Sequence, residues 1–220
     1  MGTDILNIGY LATPASGTGP GVIVLQEWWG LVPHIKDVAD RFAEAGYVAI
    51  APDLFQGTTT TSPDEAGRLL MTLNIEQTAK SLQTTIDFLL NHEAVTSSSI
   101  GVVGFCMGGQ LALLTATLSE QVGAVVDFYG IHPNVKPDFS KLVAPVLGIF
   151  GEKDSFVPPE AVQQLKADIQ AAGGSIESHT YADADHAFFN DTRPEVYQAA
   201  AAEDAWQRTL RFLSQQLVTN

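Results

Sequence analysis

The sequence predicts a doubly wound, mostly parallel α/β sheet with helices on both faces, forming a single domain over residues 1–220. Three observations lead there. Short Val- and Ile-rich runs with little polar alternation recur at 21–26, 47–51, 100–105, 124–129 and 146–150, as strands buried on both faces do. Longer amphipathic stretches separate these runs, the order of a chain winding back and forth across a sheet. No linker, repeat or low-complexity tract interrupts the alternation, and the threonine run at 58–61 is too short to separate domains.

The elements follow in order. Residues 5–11 read as an antiparallel edge strand ahead of the glycine-rich turn at 16–21. Ser62-Pro63-Asp64-Glu65 is a capping box with proline at the first helical position, and it opens a helix reaching about residue 73. Asn74 caps a second helix, in which Ile75, Ala79, Leu82, Ile86 and Leu89 share one face. Further helices are expected from Gln110, from Pro159 to 172 before Gly173-Gly174, and from Pro194 to about 217, with a short strand at 175–181.

Charge and composition narrow the function. The net charge of −14 repels polyanions, so nucleic acid is not an expected partner. No apolar run approaches the roughly 18 to 20 residues of a membrane helix, and no basic residue precedes Lys36 to make the charged start of a signal peptide. A cytoplasmic protein acting on a small molecule is expected, and with no charge patch or apolar stripe left over, a monomer. The lone cysteine, Cys106, excludes a disulfide within the chain and a multi-cysteine zinc site.

The chemistry centres on that cysteine. Gly104-Phe105-Cys106-Met107-Gly108-Gly109 follows an apolar strand and precedes a helical run, the context of a nucleophile elbow with sulfur in place of the usual serine oxygen. There the helix N-terminus favours a thiolate, and the Met107 N–H falls where an oxyanion donor is needed. The blander reading is a small buried hydrophobe. A triad on such a fold runs nucleophile, acid, histidine in chain order. Asp154 lies just past the 146–150 strand and His186 on a loop after 175–181. His186 would take the thiol proton, and Asp154 would fix the imidazole tautomer. Glu152, Asp183 and Asp185 compete for the acid role, while His34, His92, His132 and His179 read as surface or satisfied core histidines. Asp183, Asp185, His186 and Asp191 offer no second histidine at ligand spacing, so no metal is expected. In Gln26-Glu27-Trp28-Trp29-Gly30, Trp28 ends up where the second oxyanion N–H belongs, a donor worth about 3 kcal/mol. Glu27, a carboxylate at the end of a buried strand, points to function. Loops 53–64 and 130–141 are expected to shape the pocket.

Taken together, the 26–30 stretch, Ala51-Pro52-Asp53-Leu54-Phe55, the elbow, Phe128-Tyr129-Gly130, Gly151-Glu152-Lys153-Asp154 and Asp185-His186-Ala187-Phe188-Phe189-Asn190 resemble the dienelactone hydrolase family, in order and over nearly the whole chain. The resemblance implies an α/β-hydrolase fold, hydrolysis of a lactone or ester such as dienelactone, no cofactor, and Cys106, Asp154 and His186 as the triad. It also implies that Glu27 contacts the resting thiol and helps to activate it, and that Tyr129 lies near the bound acid. Where the best-understood members carry a carboxylate-binding arginine four residues after the histidine, this sequence has Asn190, an amide without charge. Arg193 and Arg68 are the candidates to replace it. The expected reaction is acyl transfer through a thioester. A silent binding scaffold, or a thiol redox sensor, are the alternatives on the same fold, and neither needs the triad order.

Overall fold

The computed structural model describes residues 2–217. The chain begins with a hairpin, β1 (Thr3–Ile5) and β2 (Gly9–Ala12). It then alternates through β3 (Gly19–Leu25), α1 (Pro33–Glu44), β4 (Val48–Pro52), α2 (Pro63–Thr72), α3 (Ile75–Leu90), β5 (Val95–Phe105) and α4 (Met107–Leu118). The last elements are β6 (Val122–Phe128), β7 (Val146–Gly151), α5 (Pro159–Ala171), β8 (Ile176–Tyr181) and α6 (Ala199–Gln216), with one 3₁₀ turn at Phe139–Lys141. All eight strands join one sheet in the order β1-β2-β4-β3-β5-β6-β7-β8. The hairpin pairs antiparallel, within itself and to β4, and every other pairing is parallel.

The central strands carry almost no exposed surface: Val22 to Leu25, Val48 to Ala51 and Val102 to Phe105 are buried throughout. Such strands need cover on both faces. On one face Leu89 of α3 packs over Gly21, and on the other Leu213 of α6 packs over Gly101. Phe42 of α1 meets Trp206 of α6 with ring centroids 4.6 Å apart, closing that layer. Because the parallel strands run in register, their carboxyl ends and the loops after them gather at one rim, where ligands bind in open sheets of this kind.

The predicted strands and most helices appear within a few residues of their expected ends, and three features differ. The expected strand at 5–11 is a hairpin, because Asn7 takes a left-handed φ of 64° and turns the chain. The last helix starts at Ala199 rather than Pro194. The intervening residues form turns in which the Arg193 carbonyl accepts from Val196 and Tyr197, and Gln198 N–H donates to Phe188 O instead of continuing a helix. Helix α1 lies outside the elements named from sequence, although Pro33 opens it and Ile35, Val38, Ala39 and Phe42 line its buried face. No helix among the described residues is long and apolar enough to cross a membrane.

Phe42 is fully buried where α1, α6 and Tyr47 meet. Phe42→Ala is expected to lower unfolding free energy by about 3–5 kcal/mol, read from urea denaturation monitored by circular dichroism.

Candidate active site

Cys106 sits between β5 and α4 with φ 54° and ψ −119°, a region that costs L-residues free energy. The local sequence makes this conformation attainable. A Cβ on Gly104 would lie 1.9 Å from the Gly108 carbonyl oxygen, and one on Gly108 would lie 2.4 Å from that of Leu25. Strand and helix therefore close to a distance that only glycine allows. The Cys106 N–H donates to Phe128 O, and its carbonyl accepts from Gly109 and Ile131 N–H. The thiol residue is 7% exposed at the rim of the sheet. Met107 is the first residue of α4, where N–H groups have no acceptor within the helix.

Asp154 lies between β7 and α5 and is 2% exposed. Its Oδ1 accepts from the N–H groups of Phe156 at 2.8 Å and Val157 at 2.9 Å, which fixes the carboxylate. Its Oδ2 accepts from His186 Nδ1 at 2.7 Å. That bond leaves Nε2 as the ring nitrogen available for the thiol. The imidazole is held between the rings of Tyr129 and Phe156, at centroid distances of 5.0 and 5.1 Å. Burial pulls its pKa down, but hydrogen bonds to Asp154 and Cys106, with the charges of both, outweigh burial and carry it up to about 10. Of the competing acids, Asp183 pairs with Lys153 at 2.7 Å, its N–H lies 3.4 Å from Glu152 Oε2, and Asp185 is exposed.

Glu27 follows β3 and is 1% exposed. Its Oε2 accepts from Asn190 Nδ2 at 2.7 Å. Asn190 is oriented in turn by the Thr192 N–H and hydroxyl, both donating to its Oδ1. Tyr129, with φ 43° and no exposed surface, carries a buried hydroxyl without a hydrogen-bond partner among the described residues. Burial, then the charges of Glu27, Cys106 and Asp154, push its pKa well above the usual phenol range, and Arg193 pulls the other way. Glu27, Cys106 and Asp154 thus act on Tyr129, and Cys106 and Asp154 also on His186.

The remaining candidates are less buried. Trp28 is half-buried on the turn after Glu27, edge-on to Trp29, and α2 reaches it at Gly67. Arg193 stands over Trp29 with its guanidinium 5.8 Å from the ring centroid, its Nε donating to Glu195 at 2.9 Å. Arg68 is exposed on α2 and donates Nε and one Nη to Glu65 of the same helix. Of the two loops expected to shape the pocket, 53–64 contributes residues 53–57 and Thr59 to a groove of about 950 Å³ bounded by the hairpin, α2 and α3, and none of Cys106, Asp154 and His186 is among the described residues lining it. Among the described residues, no group of three or more His, Cys, Asp or Glu is arranged to hold a metal.

Sequence reasoning passed over Asp127, whose signal was a lone carboxylate inside an apolar strand. It also passed over the ion pairs beside Asn190, where Asp191 meets Arg41 and lies 3.3 Å from His34 Nδ1.

The His186 shift has a testable consequence. Because its folded pKa of about 10 lies above the ordinary 6.5, the stability it contributes is complete below pH 6.5 and is lost as pH rises through about 10. An NMR titration of the His186 ring in wild type should report a cation beyond pH 8, and Asp154→Asn should bring the transition down toward 6.5 while flattening the loss of stability between these limits.

Similarity to known proteins runs over nearly the whole chain. The dienelactone hydrolase family model matches residues 8–217. "Protein usf" of Aquifex pyrophilus is 36% identical over 216 residues, covering 95% of this chain and 93% of that protein. The "Putative carboxymethylenebutenolidase" of Escherichia coli K12 is 36% identical over 226 residues, covering 94% of this chain and 81% of that protein. The crystal structure of a "Putative Dienelactone Hydrolase" from Klebsiella pneumoniae superposes with a TM-score of 0.86 at 32% identity, covering 98% of each chain. The sheet order, the elbow and these similarities lead to one conclusion: the chain has the α/β-hydrolase fold, belongs to the dienelactone hydrolase family, and is a hydrolase of ester or lactone bonds.

Proposed function

We propose that the protein is a cysteine-dependent hydrolase that opens a lactone or cleaves a small ester through Cys106, His186 and Asp154, by way of a thioester. The observation that carries this reading is the 2.7 Å bond from His186 Nδ1 to Asp154, which aims the other ring nitrogen toward a cysteine on a strand-to-helix turn. In the first step the Cys106 sulfur, its proton passed to His186, bonds to the carbonyl carbon, and the carbonyl electron pair moves onto oxygen. The N–H groups of Met107 and Trp28 stabilise that oxyanion. Collapse breaks the ester C–O bond, and the leaving oxygen takes a proton from the His186 imidazolium. His186 then accepts a proton from water as the water oxygen attacks the thioester, and the thiolate departs. A thiolate leaves the tetrahedral intermediate more readily than an amine does, so amides are poor substrates.

Glu27, on this reading, helps to activate the thiol, and Asn190 holds it in place for that role. The Asn190 amide donates to Glu27, and Arg68 pairs with Glu65 of its own helix. Arg193 retains free Nη donors and acts electrostatically on Tyr129; these two contact the acid group of the substrate. The protein works as one α/β-hydrolase domain, a cytoplasmic monomer using no cofactor, and its charge of −14 argues against a nucleic-acid or anionic-membrane partner.

Hydrolysis of dienelactone and of an uncharged aryl acetate tests both parts. Cys106→Ala should lose at least about a thousandfold in kcat on each substrate, and retained turnover would overturn the nucleophile. Arg193→Ala should raise KM for dienelactone about tenfold and leave the acetate unchanged, whereas equal effects on the two would remove Arg193 from carboxylate binding.

A further inference from the structure

Asp127 is a buried carboxyl that the reaction above does not use. It lies in β6 with no exposed surface, and neither carboxyl oxygen completes a hydrogen bond of ordinary geometry. Four glycines flank it. Its register neighbours are Gly104 of β5 and Gly148 of β7. A Cβ on Gly109 of α4 would come 2.3 Å from its Oδ1, and one on Gly130 would come 2.2 Å from the same atom. Gly109 and Gly130 also press on each other, since a Cβ on Gly109 would meet the Gly130 Cα at 2.7 Å. The Phe150 ring covers Gly148, so the positions facing Asp127 from β5, β7, α4 and the following turn bring it no charged side chain.

These contacts join the two strained turns of the site. Gly109 is the third residue of α4, the helix capped by Cys106, and Gly130 follows Tyr129. We propose that Asp127 is a positioning residue of the elbow: wedged between Gly109 and Gly130, it locks the turn bearing the Cys106 thiol to the turn bearing Tyr129. The inference rests on the reading of Cys106 as the nucleophile. Burial pushes the Asp127 carboxyl up to about 7, against a lowering contribution from the Gly130 N–H, so the acid form dominates below neutrality. Above it, a second anion appears beneath the same helix N-terminus that favours the thiolate. Like charges sharing one site oppose each other's ionisation, and thiolate formation at Cys106 becomes harder.

The single cysteine lets this be measured without ester turnover, through the rate of Cys106 alkylation by iodoacetamide followed by intact mass. Asp127→Asn keeps the shape of the acid and cannot ionise. Its alkylation rate should match wild type at pH 6 and exceed it by at least about threefold at pH 8. The kcat ratio for an aryl acetate should change in the same direction with KM unmoved. A ratio equal at both pH values would overturn the proposal, since a merely structural residue shifts both alike. Asp127→Ala, which empties the socket, should lower alkylation and kcat at pH 6, where the wild-type carboxyl is uncharged; wild-type rates at pH 6 in that variant would also overturn it. If no ester is turned over while the alkylation ratio still changes with pH, the hydrolase reading fails and the role of Asp127 stands.

Discussion

Cys106 is held at a positive φ of 54°, and a backbone held in such a sparsely populated region costs of order 1–3 kcal/mol. The surrounding structure over-determines it. Its amide and carbonyl are tied to Phe128, Gly109 and Ile131, so β5, β6 and α4 meet at one residue. The absence of a Cβ at Gly104 and Gly108 lets strand and helix approach closely enough for those bonds to form. This places the thiol at the carboxyl rim of the sheet and directs the start of α4 at it. Tyr129, strained at φ 43° on the neighbouring strand end, is anchored in a similar way by its N–H donating to Ile149 O. The two turns form a rigid floor, and the loops after β3, β7 and β8 deliver Glu27, Asp154 and His186 onto it.

The charges on that floor are buried, and burial of an unpaired charge is costly. Each carboxylate therefore has its own donors. Asp154 accepts two backbone N–H groups and the His186 ring. Glu27 accepts an amide, itself fixed by Thr192, in place of a guanidinium. An amide satisfies the hydrogen bond without bringing a charge of its own, and Glu27 acts on Tyr129. The tyrosine hydroxyl is buried and has no hydrogen-bond partner among the described residues.

Much of this was legible before folding. The apolar runs marked the parallel strands because burial on both faces removes polar alternation, and the Ser62 and Asn74 caps marked α2 and α3 because unsatisfied N–H groups call for such side chains. Elbow, acid and histidine could be read in chain order because the topology returns each strand end to the same rim. The hairpin at Asn7 and the late start of α6 depended on single backbone dihedrals and on the bond between Gln198 and Phe188, which no periodicity encodes. Helix α1 was readable, since Ile35, Val38, Ala39 and Phe42 repeat at helical spacing. The partner of Asn190, the pairing of Arg68 with Glu65 and the socket around Asp127 come from contacts between distant segments, and residue type alone does not specify them.

The most direct test is to find the acyl group. Rapid acid quenching during turnover of an aryl acetate, followed by intact mass and peptide mapping, should recover one acetyl group on the peptide containing Cys106, and neutral hydroxylamine should remove it. An unmodified chain under turnover, or an acetyl group on any other residue, would contradict covalent catalysis by the elbow cysteine.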